Sequence, residues 1–151
     1  MKEFNSFNDI LDFAINAEQD AVDFYNMLAT NSKNPEMISI FEQFAREEMG
    51  HKARITRIRE EGSFMAIGDK VPDMKIADYL VKVQPTPDMS YSDALVLAMN
   101  REKAAFKLYT RLAERAPGPE LKNLFSHLAQ EESKHKLRFE MEYDEFVLRE
   151  N

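Results

Sequence analysis

The chain of 151 residues contains no cysteine. That excludes a disulfide, a thiolate nucleophile, an iron–sulfur cluster and a cysteine-based zinc ribbon. Glycine is scarce at 4 residues and proline at 6. Most of them fall between long periodic runs, so the runs themselves are free to be long helices. No apolar run approaches the roughly 20 residues needed to span a bilayer, so no membrane partner is expected. The opening residues, MKEFNSFND, lack an apolar signal core, which makes the cytoplasm the expected compartment. Blocks of one charge are missing too. The formal charge is -7 with acids and bases interspersed, which does not suit a nucleic-acid partner.

What is present reads as helix. The apolar fraction of 44% and charged fraction of 31% fit a soluble helical protein. The length is that of one domain with a real core. Phe7, Ile10, Leu11, Ala14, Ala17, Glu18, Ala21, Val22, Tyr25 and Leu28 form a helical stripe in a first helix from Ser6 to about Asn31. Ser6 and Asp9 resemble a capping box. Glu18 sits where the stripe calls for a leucine. After the turn at Asn31–Asn34, Pro35 opens a second helix, which runs to about Glu61 and ends at Gly62. So short a turn between long helices makes them antiparallel neighbours. Residues 62–89 carry Gly62, Gly68, Pro72, Pro85 and Pro87 and read as a crossover, with one short helix at Asp73 to Val81. Ser90 caps a third helix ending near Ala116. The fourth runs from Pro119 nearly to the C-terminus. The layout is thus a hairpin at 6–61, a crossover at 62–89 and a hairpin at 90–150.

The two hairpins are copies of each other. Laid over one another from Ser6 and Ser90, about 20 of 56 positions agree without a gap, against roughly 4 expected from average residue frequencies. Asp9 falls on Asp93, Glu18 on Glu102, Tyr25 on Tyr109, and Pro35 on Pro119. Glu48 and His51 fall on Glu132 and His135. A spacing of three puts a carboxylate and an imidazole on one helix face. Glu18 and Glu48 are nearly equidistant from the first turn, so they come level across the hairpin, and the repeat does the same for Glu102 and Glu132. Packing the hairpins about a pseudo-twofold axis would collect four carboxylates and two imidazoles. Buried without a counter-charge, such a cluster would be prohibitive. Two divalent ions would cancel it. Oxygen and imidazole donors suit iron or manganese, and imidazole also suits zinc.

Glu18, Glu48-Met49-Gly50-His51, Glu102 and Glu132-Ser133-Lys134-His135 together resemble the rubrerythrin di-iron domain of the ferritin-like superfamily. The resemblance covers almost the whole chain. It implies an all-α, ferritin-like four-helix bundle of two repeated antiparallel hairpins joined by a long crossover. It implies two iron ions, with Glu48 and Glu132 bridging them, Glu18 and Glu102 terminal, and Tyr25 and Tyr109 beside the ligands. It further implies an oxidoreductase that reduces peroxide or dioxygen, and a homodimer. With no cysteine-rich rubredoxin domain in this sequence, electrons would come from a separate donor protein such as a rubredoxin. Where rubrerythrins proper carry a further ligand glutamate, this chain has Ala105. Two other readings stay open: iron binding or storage as in ferritins, and a metal-stabilised interaction module.

Other residues read as structural. Glu47 and Glu131 lie on the wrong face and are expected at the surface, as is His127. Met27, Met49 and Met99 are expected to fill the core. Asn16 and Asn100 match across the repeat without an evident reason.

Overall fold

The structure, a computed structural model, describes residues 4–64 and 74–150. Four helices carry it: α1 (Phe7–Asn31), α2 (Pro35–Glu61), α3 (Tyr91–Arg115) and α4 (Pro119–Glu150). Their ends follow local chemistry. Ser6 Oγ accepts from the Asp9 amide at 3.1 Å, and Asp9 Oδ2 accepts from the Asn5 amide at 3.1 Å. The expected capping box is therefore present, with its return bond displaced by one residue. Ser90 repeats the first half of it, accepting from the Asp93 amide at 3.1 Å. Asn34 Oδ1 caps α2 by accepting from the Glu36 amide at 3.0 Å, and Pro35 takes the first turn, where no amide proton is needed. Gly62 ends α2 in the left-handed region at φ 67°, a conformation a Cβ would strain.

The chain divides into two compact units, one up to Ala77 and one from Asp78 onward. In the first, α1 and α2 form an antiparallel hairpin. Asp12 pairs with Arg59 at 2.7 Å, Gln19 accepts from Lys52 at 2.7 Å, and Tyr25 meets Phe44 edge-on. Partners fall in number along α2 as they rise along α1. The core of this hairpin includes Ile10, Leu11, Ala14, Tyr25, Phe41 and Ile55. The second unit repeats the arrangement with α3 and α4. Tyr91 pairs with Glu142, Glu102 faces His135, and Tyr109 stacks on Phe125. Each fully buried aromatic such as Phe41 or Phe125 contributes roughly 1.5–3 kcal/mol through apolar area removed from water.

Three sequence expectations are corrected. Ala17 is exposed, because it lies at the edge of the α1 stripe and a single methyl in water costs little. Met49 is 56% exposed. It follows Glu48 by about 100° around α2 and so points outward. Met27 and Met99 are half-buried, and among the described residues the buried methionines are Met37 and Met74. The short helix expected at Asp73 to Val81 is only a single 3-10 turn, Ile76–Asp78. Met74 and Tyr79 are both buried, and a continuous helix would turn positions five apart to different faces. Asp73 and the rest of 65–73 within the expected crossover lie outside the described residues. Among the described residues, no helix is long and apolar enough to cross a membrane.

Candidate metal centre

Each hairpin brings two carboxylates and an imidazole to one level in its interior. On the first, His51 Nδ1 lies 3.6 Å from Glu18 Oε2 and 3.6 Å from Glu48 Oε1. On the second, His135 Nδ1 lies 3.5 Å from Glu102 Oε2 and 4.0 Å from Glu132 Oε1. Helical spacing aligns the glutamate and histidine of α2 and of α4, and the hairpin register supplies the facing glutamate. All six side chains are at most 2% exposed. Glu18, Glu48 and His51 offer ligand atoms within 4.8 Å of one another, as do Glu102, Glu132 and His135.

These triads fit a metal ion. Their separations exceed the 2.7–3.2 Å of a good N–H···O bond, about the range typical of proteins. Donor atoms each about 2.0–2.2 Å from one ion stand roughly 3–4 Å apart. Two carboxylates with a neutral imidazole carry two negative charges, which one divalent ion per hairpin would cancel. The donor set of carboxylate oxygen and imidazole nitrogen suits iron or manganese and admits zinc.

Among the neighbouring positions, Glu47 and Glu131 are half-buried rather than at the surface as expected. Tyr25 and Tyr109 are buried, the first among Phe24 and Phe44 and the second against Phe125. Glu47 accepts from Gln43 Nε2 at 2.9 Å on the outer side of α2. At the same place on α4, Glu131 pairs with His127 at 3.0 Å, and that histidine is 54% exposed. Ala105, one turn beyond Glu102, is half-buried.

One buried acid escaped the sequence reading. Glu142 is 2% exposed, accepts from the Tyr91 hydroxyl at 2.8 Å and lies 3.6 Å from Arg149 Nη2. Burial raises the Tyr91 phenol above its ordinary pKa, and the hydrogen bond to Glu142 adds to the rise. Phe146 closes the group edge-on to Tyr91, with the Arg149 guanidinium over its ring. A signal existed: Glu142 continues the α4 stripe of Phe125, Leu128, Glu132, His135 and Phe139 at alternating spacings of three and four.

Buried carboxylates and imidazoles inside paired long helices define a helical metal-carboxylate class of protein. The rubrerythrin family pattern matches residues 9–84 and 93–151, and the chain belongs to that family. No curated protein matches it in sequence. Among solved structures, the chain is similar to a Thermotoga maritima protein described as a ferritin-like diiron-carboxylate protein. The two share 20% identity and a TM-score of 0.83 over 96% of this chain and 99% of the other. It is also similar to a hypothetical protein from Pyrococcus furiosus, at 27% identity and a TM-score of 0.76 over 92% of this chain and 89% of that one. The fold is accordingly the all-α, ferritin-like four-helix bundle.

Proposed function

We propose that the protein is a dinuclear iron oxidoreductase that reduces peroxide or dioxygen. Glu18, Glu48, His51, Glu102, Glu132 and His135 would hold the two ions. Two iron(II) ions would supply the two electrons that, with two protons, turn one peroxide into two waters. The chain's own residues do the rest. The carboxylates balance the charge of the ions, and the buried helix faces around them exclude bulk water. Binding through Nδ1 requires that nitrogen to be unprotonated, so the ring proton of His51 and of His135 would reside on Nε2. Tyr25 and Tyr109 wall the interior of each hairpin with rigid aromatic surface. A separate donor protein such as a rubredoxin would return the electrons. We place the protein in the cytoplasm and read it as a homodimer.

The observation that carries this reading is the matched pair of buried triads, in a chain of the rubrerythrin family. The test is anaerobic loading with iron(II), followed by rapid mixing with peroxide or with dioxygen. The reading expects two irons per chain and one peroxide consumed per two irons oxidised. Continued iron uptake far beyond two per chain would favour storage instead. Zinc binding with no iron oxidation would favour the interaction module.

A further inference from the structure

The repeat breaks its symmetry on one surface. On α1 the corresponding stripe is Asn16, Gln19, Asp20 and Asp23, with Gln19 half-buried beside Lys52 of α2. Gln19 and Asp23 are bonded to each other at 2.9 Å. The equivalent stripe on α3 is Asn100, Lys103, Ala104 and Lys107. An acidic face has become a basic one in a chain whose net charge is -7. Lys103 and Lys107 are also a like-charge pair at a spacing of four, which slightly destabilises a helix. That cost is unexplained by folding.

The basic stripe borders a groove. Residues 78–83 run beside α3 and enclose about 290 Å³ with it, lined by Leu80, Val81 and Val83 together with Lys82, Lys103 and Lys107. Leu80 is 48% and Val83 60% exposed. The three lysines have no ion pair or side-chain hydrogen bond with another described residue. Asp78 is the one acid in the lining. Exposed apolar side chains interspersed with three cations match a partner that has an apolar centre and an acidic rim.

Its position suits electron delivery. At about 100° per residue, Asn100, Ala104 and Lys107 lie on the side of α3 opposite Glu102. A partner seated in the groove is separated from that buried glutamate by one helix, about 10–12 Å thick with its side chains.

We infer that the groove between residues 78–83 and α3 is the docking site for an electron-donor protein with an acidic face. This rests on the oxidoreductase reading. The donor loses one electron per encounter, so two encounters supply the pair consumed with two protons when one peroxide becomes two waters. Steering by Lys82, Lys103 and Lys107 speeds the encounter, and salt screens it.

The test uses reduced rubredoxin with an acidic surface as the probe and the iron-loaded, oxidised protein. Stopped-flow rates should fall steeply with added salt. In Lys103→Glu/Lys107→Glu the second-order rate at low salt should drop about tenfold or more and lose its salt dependence. Reduction by dithionite should stay unchanged. Zero-length cross-linking by carbodiimide should join rubredoxin carboxylates to Lys82, Lys103 or Lys107. It reads docking whether or not electrons flow. Cross-links at the groove without electron transfer would keep the docking site and sink the oxidoreductase reading. Electron transfer indifferent to the charge reversals, with cross-links elsewhere or absent, would overturn the docking site alone. Binding of the unmodified protein to phosphatidylglycerol vesicles but not to rubredoxin, abolished by the reversals, would overturn it in favour of a lipid surface.

Discussion

The two hairpins are one sequence twice, and they differ in an orderly way. Their interiors agree: His51 and His135 sit 3.6 and 3.5 Å from the glutamate on the facing helix. Their caps agree, with Ser6 and Ser90 each accepting from an aspartate amide. They part company at the surface and at one end. Where α1 starts with Phe7 stacked on Phe64, α3 starts with Tyr91 bonded to the buried Glu142. Where α2 stops at Gly62, α4 has Phe146 and continues. The lesson is that the buried triad tolerates little change. In a metal centre a donor atom displaced by an ångström would lose its ion, while a surface side chain has solvent to turn to.

The largest effect should come from removing what the two triads have in common. Apo protein would keep two carboxylates crowded in each hairpin at 1–2% exposure. Saturating iron(II) or manganese at about 100 times the dissociation constant stabilises by about 2.7 kcal/mol per ion. Two ions should therefore raise the melting temperature by about 10 °C or more in a chain of this size. Calorimetry of apo and loaded protein checks this, and equal melting temperatures would show that the triads bind no metal.

The next comparison sets a triad member against its neighbour. Glu132→Ala should abolish binding of two ions per chain, and Glu48→Ala should do the same from the other hairpin. Glu131→Ala, on the outer side, should leave the stoichiometry at two. Elemental analysis after equilibrium dialysis distinguishes them. Like behaviour of Glu131→Ala and Glu132→Ala would mean that the wrong face of α4 has been assigned to metal.

A smaller effect should expose the differing ends. Tyr91→Phe makes the second hairpin resemble the first, and leaves a buried Glu142 oxygen without its hydroxyl donor. The cost should be about 1–2 kcal/mol near neutral pH. The pH dependence carries a sign. Tyr91 has a raised folded-state pKa, so its contribution is complete below the unfolded value of about 10 and is lost as pH rises above it. Urea melts at pH 7 and 10.5 should show the native protein losing more stability over that interval than Tyr91→Phe. An equal loss would remove Tyr91 as the cause. Smallest of all, Gly62→Ala should destabilise by about 1 kcal/mol, because alanine must adopt the left-handed conformation that ends α2. Ala116→Gly at the end of α3, where the cap is extended at φ -61°, should give no comparable gain.

Much of this was legible in the sequence because the signals are local. Helical periodicity, serine and asparagine caps, Pro35 and Gly62 depend on neighbours a turn away, so they need no knowledge of the rest of the chain. The level of Glu18 with Glu48 and His51 followed from a short turn and a fixed rise per residue. What only the tertiary structure decided concerns coverage. Ala17 and Glu18 are adjacent, yet one is exposed and the other buried. Glu142 lies on the buried stripe of α4, but that Tyr91 and Arg149 are its partners depended on the packing. The groove beside α3 depends on where residues 78–83 lie, and nothing in their own pattern states that. Burial is a property of the elements that cover a residue, and those are distant in sequence. The helices could therefore be read from the chain, whereas the partners of Glu142 and the groove could be seen only once the elements were packed.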